Sequence, residues 1–444
     1  MQDARLTAMI PSLLNTAGEP EQEARSRRAN AIEALGVTCA ILITLWPLAF
    51  AWGVLGHNDF IRHASQIPLA LGFLWVFCGS PFWHRDTAES LGLGNPRRLW
   101  RMLRDGPPAR RLRLILGTGI TFDALIYIIL THWREAVRFL HLPHAALHWP
   151  TPGIVAFSLL AAAFIVTCLI RYDNFGPAFR AALLVSAGLL LFAGTAAVLH
   201  RGWQVFTAID PEKYALDVIA YVFWGFLQQT FFTAYFGTRL RKAFAPSPDS
   251  AIPSAGRARV IAGGALIAAA VLAPPLWLTI RGLYGADAAP LATLLVFSAF
   301  ALPVGATWTW FYCRDPRRIL VATLSGAIFG LIHIDSYGLV LATGGLGTIL
   351  AWLFMADRTR NLTALGFIHG FLGSTFGKLF KGEGAGMLQV DYRVGPWNVE
   401  LPAAHVLIVP LLCLAGFAAL TAWCWRRLPS AFPIVKTQPP PIGT

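Results

Sequence analysis

Charge is what this chain has least of: only 13% of its 444 residues are Asp, Glu, Lys or Arg, while 56% are hydrophobic and the mean hydropathy is +0.56. An ordinary soluble domain carries about a quarter charged residues, so the composition excludes that class and predicts a polytopic integral membrane protein. Paired cysteines are also missing. Cys39, Cys78, Cys168, Cys313, Cys413 and Cys424 stand singly in apolar stretches with no CxxC spacing, which argues against a disulfide framework or a cysteine metal site and for small hydrophobes. Lysine occurs only at 213, 242, 378, 381 and 436, so arginine supplies nearly all of the positive charge. That bias is associated with GC-rich bacterial genomes. The net charge of +13 does not point to nucleic acid, because the basic residues sit in short connections between apolar runs, where they orient a membrane chain.

Apolar runs of roughly twenty residues, enough to cross about 30 Å of hydrocarbon, recur about twelve times. Their centres fall near Ile43, Leu74, Ala124, Ala162, Leu189, Phe226, Ala268, Phe300, Ile328, Leu346, Phe371 and Leu412. The expected fold is therefore all-α, a polytopic helical bundle of about 12 transmembrane helices. Arginines crowd alternate connections, as the positive-inside rule requires: Arg97 to Arg113, Arg239 to Arg259, Arg314 to Arg318, Arg358 with Arg360, and Arg426 with Arg427. Arg134, Arg138, Lys378, Lys381 and Arg393 blur the contrast. Both termini are expected on the cytoplasmic face of a bacterial inner membrane, with the lipid bilayer as the first partner.

Residues 1–30 are polar and mixed in charge, too long for the leading segment of a signal peptide, and predict a cytoplasmic N-terminus followed by a signal anchor. Residues 31–200 read as accessory transmembrane helices. Within them LGLGNPRRLWRMLRDGPPARR mixes Leu99, Trp100 and Leu103 with arginines and predicts an interfacial amphipathic helix near 93–111, lying on the cytoplasmic leaflet. The connection at 243–256 is rich in Pro and Ser. A core at 214–380, an external polar loop at 381–400, a last transmembrane helix at 401–428 and a disordered proline-rich tail at 429–444 complete the division.

Polar groups at membrane depth are costly and usually face a bundle interior, where they mark a working site. Four stand out here. Gln228 and Gln229 lie in YVFWGFLQQTFFTAYFGTRL, with Thr233 four residues on and so on the same face as Gln229; interhelical amide hydrogen bonding is the plainer reading of that pair. His333 closes SGAIFGLIHID, where Ser325, Phe329 and His333 recur every four residues beside a Gly326/Gly330 face. His369 lies in LTALGFIHGFLG, beside the small-residue stripe Gly366, Gly370 and Ser374. A single membrane histidine is often a packing residue, but two on glycine-faced helices point together to a site.

The segment FGLIH (Phe329 to His333) resembles the FxxxH motif of the CPBP intramembrane proteases, which include CAAX-processing endopeptidases and bacteriocin-processing or self-immunity (Abi-like) proteins. The stretch onward through GLVLATGGLGTILAWLFMADRTRNLTALGFIHG is similar to that family's glycine-rich helix, short basic turn and second histidine helix, and QQTFFTA (Gln228 to Ala234) aligns with its EExxFRG motif. The resemblance covers roughly residues 214 to 380, with a weaker likeness in LGLGNPRRLWRML. It implies an endopeptidase (a hydrolase) acting on a membrane-associated polypeptide, with a glutamate activating water while histidines and an asparagine orient it or stabilise the oxyanion. The catalytic positions carried over are Gln228, Gln229, His333 and His369. This chain departs from the pattern with glutamines for both glutamates, Thr233 for the arginine, and Gly373 for the asparagine of HxxxN.

A neutral amide cannot accept a proton from water near pH 7, and loss of a general base costs about 10²- to 10⁴-fold. Either a histidine serves as the base while the glutamines donate to the oxyanion, or the scaffold binds membrane peptides without cutting them. Two histidines fall short of the three protein ligands of a catalytic zinc site, so neither a metal nor another cofactor is expected. His141, His144 and His148 in HLPHAALH read as interfacial histidines. Asp123, near the middle of an apolar run, is a candidate relay or substitute carboxylate. A different class stays open: about twelve spans with a longer central loop also match the layout of a secondary transporter.

Overall fold

Three helices open on the same two-residue device, an Asn or Asp whose side chain accepts from the first free backbone amides, followed by proline, which has no N–H to satisfy there. Asn95 accepts from Arg97 N, Asp210 from Glu212 N and Lys213 N, and Asp315 from Arg318 N. A computed structural model describes residues 27–139, 160–161, 164–165, 167–244, 256–267, 269, 290–334, 337–381, 415–419, 422 and 426. Among these residues the secondary structure is helical throughout, with no strand.

The helices are α1 (Arg27–Ile43), α2 (Asp59–Ala64), α3 (Gln66–Leu74), α4 (Ser80–Trp83), α5 (Pro96–Asp105), α6 (Pro108–Phe139) and α7 (Phe175–Arg201). They continue with α8 (Gln204–Thr207), α9 (Pro211–Gln229), α10 (Phe236–Phe244), α11 (Pro290–Arg314), α12 (Pro316–Leu331), α13 (Tyr337–Met355) and α14 (Leu362–Lys381). Three segments are wound in the wider π form: Thr44–Leu55 after α1, Trp75–Gly79 between α3 and α4, and Thr230–Tyr235 between α9 and α10.

Among the described residues three stretches are long and apolar enough to cross a membrane, Ala29–Leu55, Asp59–Trp83 and Phe175–Thr195; Leu339–Met355 is apolar but shorter. Nine of the expected span centres, from Ile43 to Phe371, fall in helical segments, whereas Ala162, Ala268 and Leu412 lie outside the described residues. The amphipathic segment expected near 93–111 is two helices, because Gly106 and Pro107 separate α5 from α6. The connection 245–255, the loop 382–400, the histidines at 141, 144 and 148 and the tail lie outside the described residues, as does most of 401–428.

Two helix pairs bring the polar residues together, and both rest on glycine. On α14, a Cβ at Gly370 would stand 2.2 Å from Val222 Cα and 2.3 Å from Val222 N, so α9 and α14 touch backbone to backbone. On α12, a Cβ at Gly326 would stand 2.5 Å from Thr348 N, which sets α12 equally close to α13. Small residues let van der Waals contact hold helices together where no hydrophobic driving force separates helix from lipid. The paired partners run antiparallel: Phe226 meets Gly366 while Val222 meets Gly370. At the far end Asp217 and Lys378 pair at 2.5 Å, and Tyr214 O–H donates to Thr375 Oγ1 at 2.7 Å. One hydrophobic core, including Ala34 of α1, Ala182 of α7, Phe236, Phe329, Leu350 and Leu365, joins the N-terminal helices to the C-terminal ones.

Candidate active site

Gln229 is fully buried at the last residue of α9, where the antiparallel packing of α14 puts His369 opposite it. Its Nε2 lies 2.7 Å from His369 Nδ1, and Thr233 O–H, one turn on, donates to its Oε1. With the amide so oriented, Gln229 donates to Nδ1. His369 is then the tautomer that carries its proton on Nε2.

His333 is set the other way. Its Nδ1 lies 3.0 Å from the Phe329 carbonyl oxygen, which can only accept, so Nδ1 carries the proton and Nε2 is the acceptor nitrogen of the neutral ring. Both imidazoles lie against one ring: Phe329 is 5.3 Å from His333, edge-on, and 5.4 Å from His369, tilted. Each ring thus has its Nδ1 committed, His369 to Gln229 and His333 to the Phe329 carbonyl.

The π segment Thr230–Tyr235 sets this geometry. Widening the turn draws carbonyls out of the helical ladder, and the Phe232 carbonyl accepts from Ser325 Oγ of α12 at 2.9 Å. Phe232 and Phe329 also stack at 4.9 Å, so α12 is fastened to the π segment one helical turn before Phe329.

Of the four expected site residues, Gln229, His333 and His369 come together and Gln228 does not. A residue later or earlier on a helix is about 100° round its axis; Gln228 is half-buried, and among the described residues no hydrogen bond ties it to the cluster. Of the two amides expected to donate into the site, Gln229 is already engaged by Thr233 and His369. Asp123 is exposed on α6 and supplies no carboxylate to the cluster. No group of three or more metal-binding side chains occurs among the described residues.

A second buried polar network was not expected from the sequence. Glu33 of α1 accepts from Ser80 Oγ at 2.5 Å, Tyr235 O–H at 2.9 Å and Trp75 Nε1 at 3.2 Å, and lies 2.5 Å from His84 Nε2. Just beyond it the fully buried Arg239 pairs with the fully buried Asp86 and donates to Asn30 Oδ1 at 2.8 Å, while Lys242 pairs with Asp86 at 2.7 Å. These groups grip the two turns that follow Thr233. The available signal was the acid in RRANAIEALGVTCAILI, an apolar helix that has no other carboxylate.

A third network fixes the start of α14. Arg171 reaches Asp357 at 3.3 Å and the Arg360 carbonyl at 3.2 Å, and Asn361 Nδ2 donates to the Arg171 carbonyl at 2.7 Å. Burial pushes the Asp357 carboxyl up, but Arg171 and Arg360 hold it below its ordinary value overall. Glu89 behaves oppositely: burial raises its carboxyl despite Arg98 and Arg171 nearby. The short basic turn ahead of His369 is thus bolted to the 171–174 segment, and α14 leaves it at a set angle. No known family model matches the chain, and no curated protein or solved structure matches it either.

Proposed function

We propose that this chain is a CPBP-like intramembrane endopeptidase, with about twelve spans and cytoplasmic termini in a bacterial inner membrane, that hydrolyses a membrane-associated polypeptide. The observation that carries the reading is that two histidines from different helices meet one ring: His369 held by Gln229 at 2.7 Å, His333 held by its own backbone at 3.0 Å, both against Phe329.

In the proposed reaction a water attacks the scissile carbonyl carbon and gives its proton to His333 Nε2. His369 Nε2–H donates to the oxyanion that forms, a type of contact worth about 10²- to 10³-fold in rate. The imidazolium of His333 then protonates the leaving amine as the C–N bond breaks, which restores the neutral ring. Gln229 acts on His369, not on substrate. A glutamate at 229 would accept the Nδ1–H of His369 and expose a basic Nε2, so the glutamine inverts the tautomer of His369 and makes that ring a donor.

Mass spectrometry of membrane-protein termini tests this, in cells with the protein, without it, and with His333→Ala or His369→Ala. New termini that require both histidines are expected, with membrane insertion unchanged. Identical termini in all four strains would sink the proteolytic reading. A polypeptide that co-purifies with wild type while no terminus changes would instead favour a non-catalytic peptide-binding homologue, the reading to which the absent carboxylate lends weight.

A further inference from the structure

We infer that the elbow between α5 and α6 is a binding surface for phospholipids of net negative headgroup. The inference rests on the membrane embedding proposed above and is independent of the chemistry at His369. The inner side of α5 is fixed to the protein, with Leu99 buried and Arg98 paired to Asp173 at 3.0 Å. Its other side presents Arg97, Trp100, Arg101 and Arg104, all exposed and spaced i, i+3, i+4 and i+7, which is one stripe on a helix. Across the Gly106–Pro107 turn the first turns of α6 add the exposed Arg110, Arg111 and Arg113.

These guanidinium groups are partly organised already. Arg111 Nε donates to the Gly106 carbonyl at 2.5 Å, Arg113 Nε to the Ala109 carbonyl at 3.2 Å, and Arg110 Nη2 lies 3.4 Å from Met102 Sδ. Arg104 is bidentate to Asp105, which offsets one charge. Each contact uses only part of an arginine's set of five donors.

Depth identifies the occupant. Immediately beyond Arg113, α6 exposes Ile115, Leu116 and Ile120, an apolar face suited to acyl chains. At 1.5 Å per residue, Arg110 to Arg113 stand within about 15 Å of Ile120 along the axis, so the cationic group lies where that face meets the headgroup layer. Trp100, 65% exposed within the arginine stripe, adds the amphipathic ring typical of that layer. Phosphate oxygens suit the bidentate fork of arginine, and net negative lipids add long-range attraction.

The test uses the full-length protein in detergent, exchanged with equimolar phosphatidylglycerol and phosphatidylcholine and read by native mass spectrometry. Wild type is expected to retain phosphatidylglycerol preferentially, with the preference falling as NaCl rises. Replacing Arg97, Arg101, Arg110 and Arg111 together by Gln is expected to cut that preference by at least about tenfold, since each basic residue near the surface contributes about fivefold. Arg62→Gln, at an exposed position on α2, is expected to change nothing. Equal retention of both lipids by wild type, or an unaltered preference in a quadruple variant that keeps its helicity and elution volume, overturns the proposal. Displacement of the lipid by millimolar inorganic phosphate overturns the lipid assignment.

Discussion

Adding one methyl group at Gly370 should be among the most damaging single-atom changes in the helical core. An ideal Cβ there meets Val222 Cα at 2.2 Å and Tyr221 O at 2.4 Å, whereas ordinary contact begins near 3.4 Å. The obstructing atoms are backbone, so α9 and α14 must separate by about 1 Å, forfeiting a quarter to a half of the dispersion attraction between the touching atoms. Overpacking of this kind costs about 1–3 kcal/mol. The same shift would stretch the 2.7 Å contact of Gln229 with His369 past hydrogen-bonding range. Gly377, two turns further along α14, has nothing within 4 Å of its ideal Cβ, and there the lower backbone entropy of alanine should raise stability by about 0.5–1 kcal/mol. Gly373, with Tyr221 ring atoms at 3.2 Å, should fall between the two. Thermal unfolding in one detergent, followed by circular dichroism, would rank the three alanine variants. Gly370→Ala unfolding at or above the temperature of Gly377→Ala would refute the backbone contact, and with it the placement of His369.

Thr233→Val removes the hydroxyl that donates to the buried Gln229 Oε1 and should cost about 1–3 kcal/mol, with Thr233→Ser recovering most of it in the same unfolding assay. Asp86→Asn leaves the fully buried Arg239 without its carboxylate, and a loss of about 3–5 kcal/mol or failure to accumulate in membranes is expected. Asp357→Asn should be mild: the side chain is 72% exposed, and solvent screening keeps the ion pair with Arg171 under about 1 kcal/mol. Because the Asp357 carboxyl is lowered in the folded protein, that stabilisation is present above about pH 4 and is lost as acid protonates the folded state, so the difference between variant and wild type should shrink progressively as the pH falls below that.

Helix content and the meeting of Gln229 with His369 were legible because a polar residue in an apolar run must find a partner, and glycine stripes mark the faces where helices can approach. Two adjacent amides look alike in sequence, yet a helix turns only one of them, Gln229, toward His369. The π segment carries no sequence mark of its own; its position follows from Ser325 capturing the Phe232 carbonyl, a contact between residues 93 apart. Glu33 was passed over because it lies barely two turns into its helix, close to charged residues, so depth alone did not separate it from an exposed terminal carboxylate. Asp123 was overvalued on the opposite ground, since mid-helix position does not reveal which way a side chain faces.

The location of the ionic networks bears on why the site itself is neutral. Arg239 and Lys242 are held by Asp86, and Arg171 and Arg360 by Asp357, all at the arginine-rich ends of the helices. Gln229 lies about 15 Å from Arg239 along the helix, ten residues at 1.5 Å each, and is fully buried. A carboxylate at that depth would pay for desolvation with no cation in contact, unless His369 were itself protonated. An amide avoids that cost and still fixes the ring of His369, while Thr233, small and uncharged, satisfies the remaining carbonyl. In the reaction proposed above, the water's proton would then go to His333, because Gln229 leaves His369 with its proton on Nε2 while His333 Nδ1 is committed to the Phe329 carbonyl.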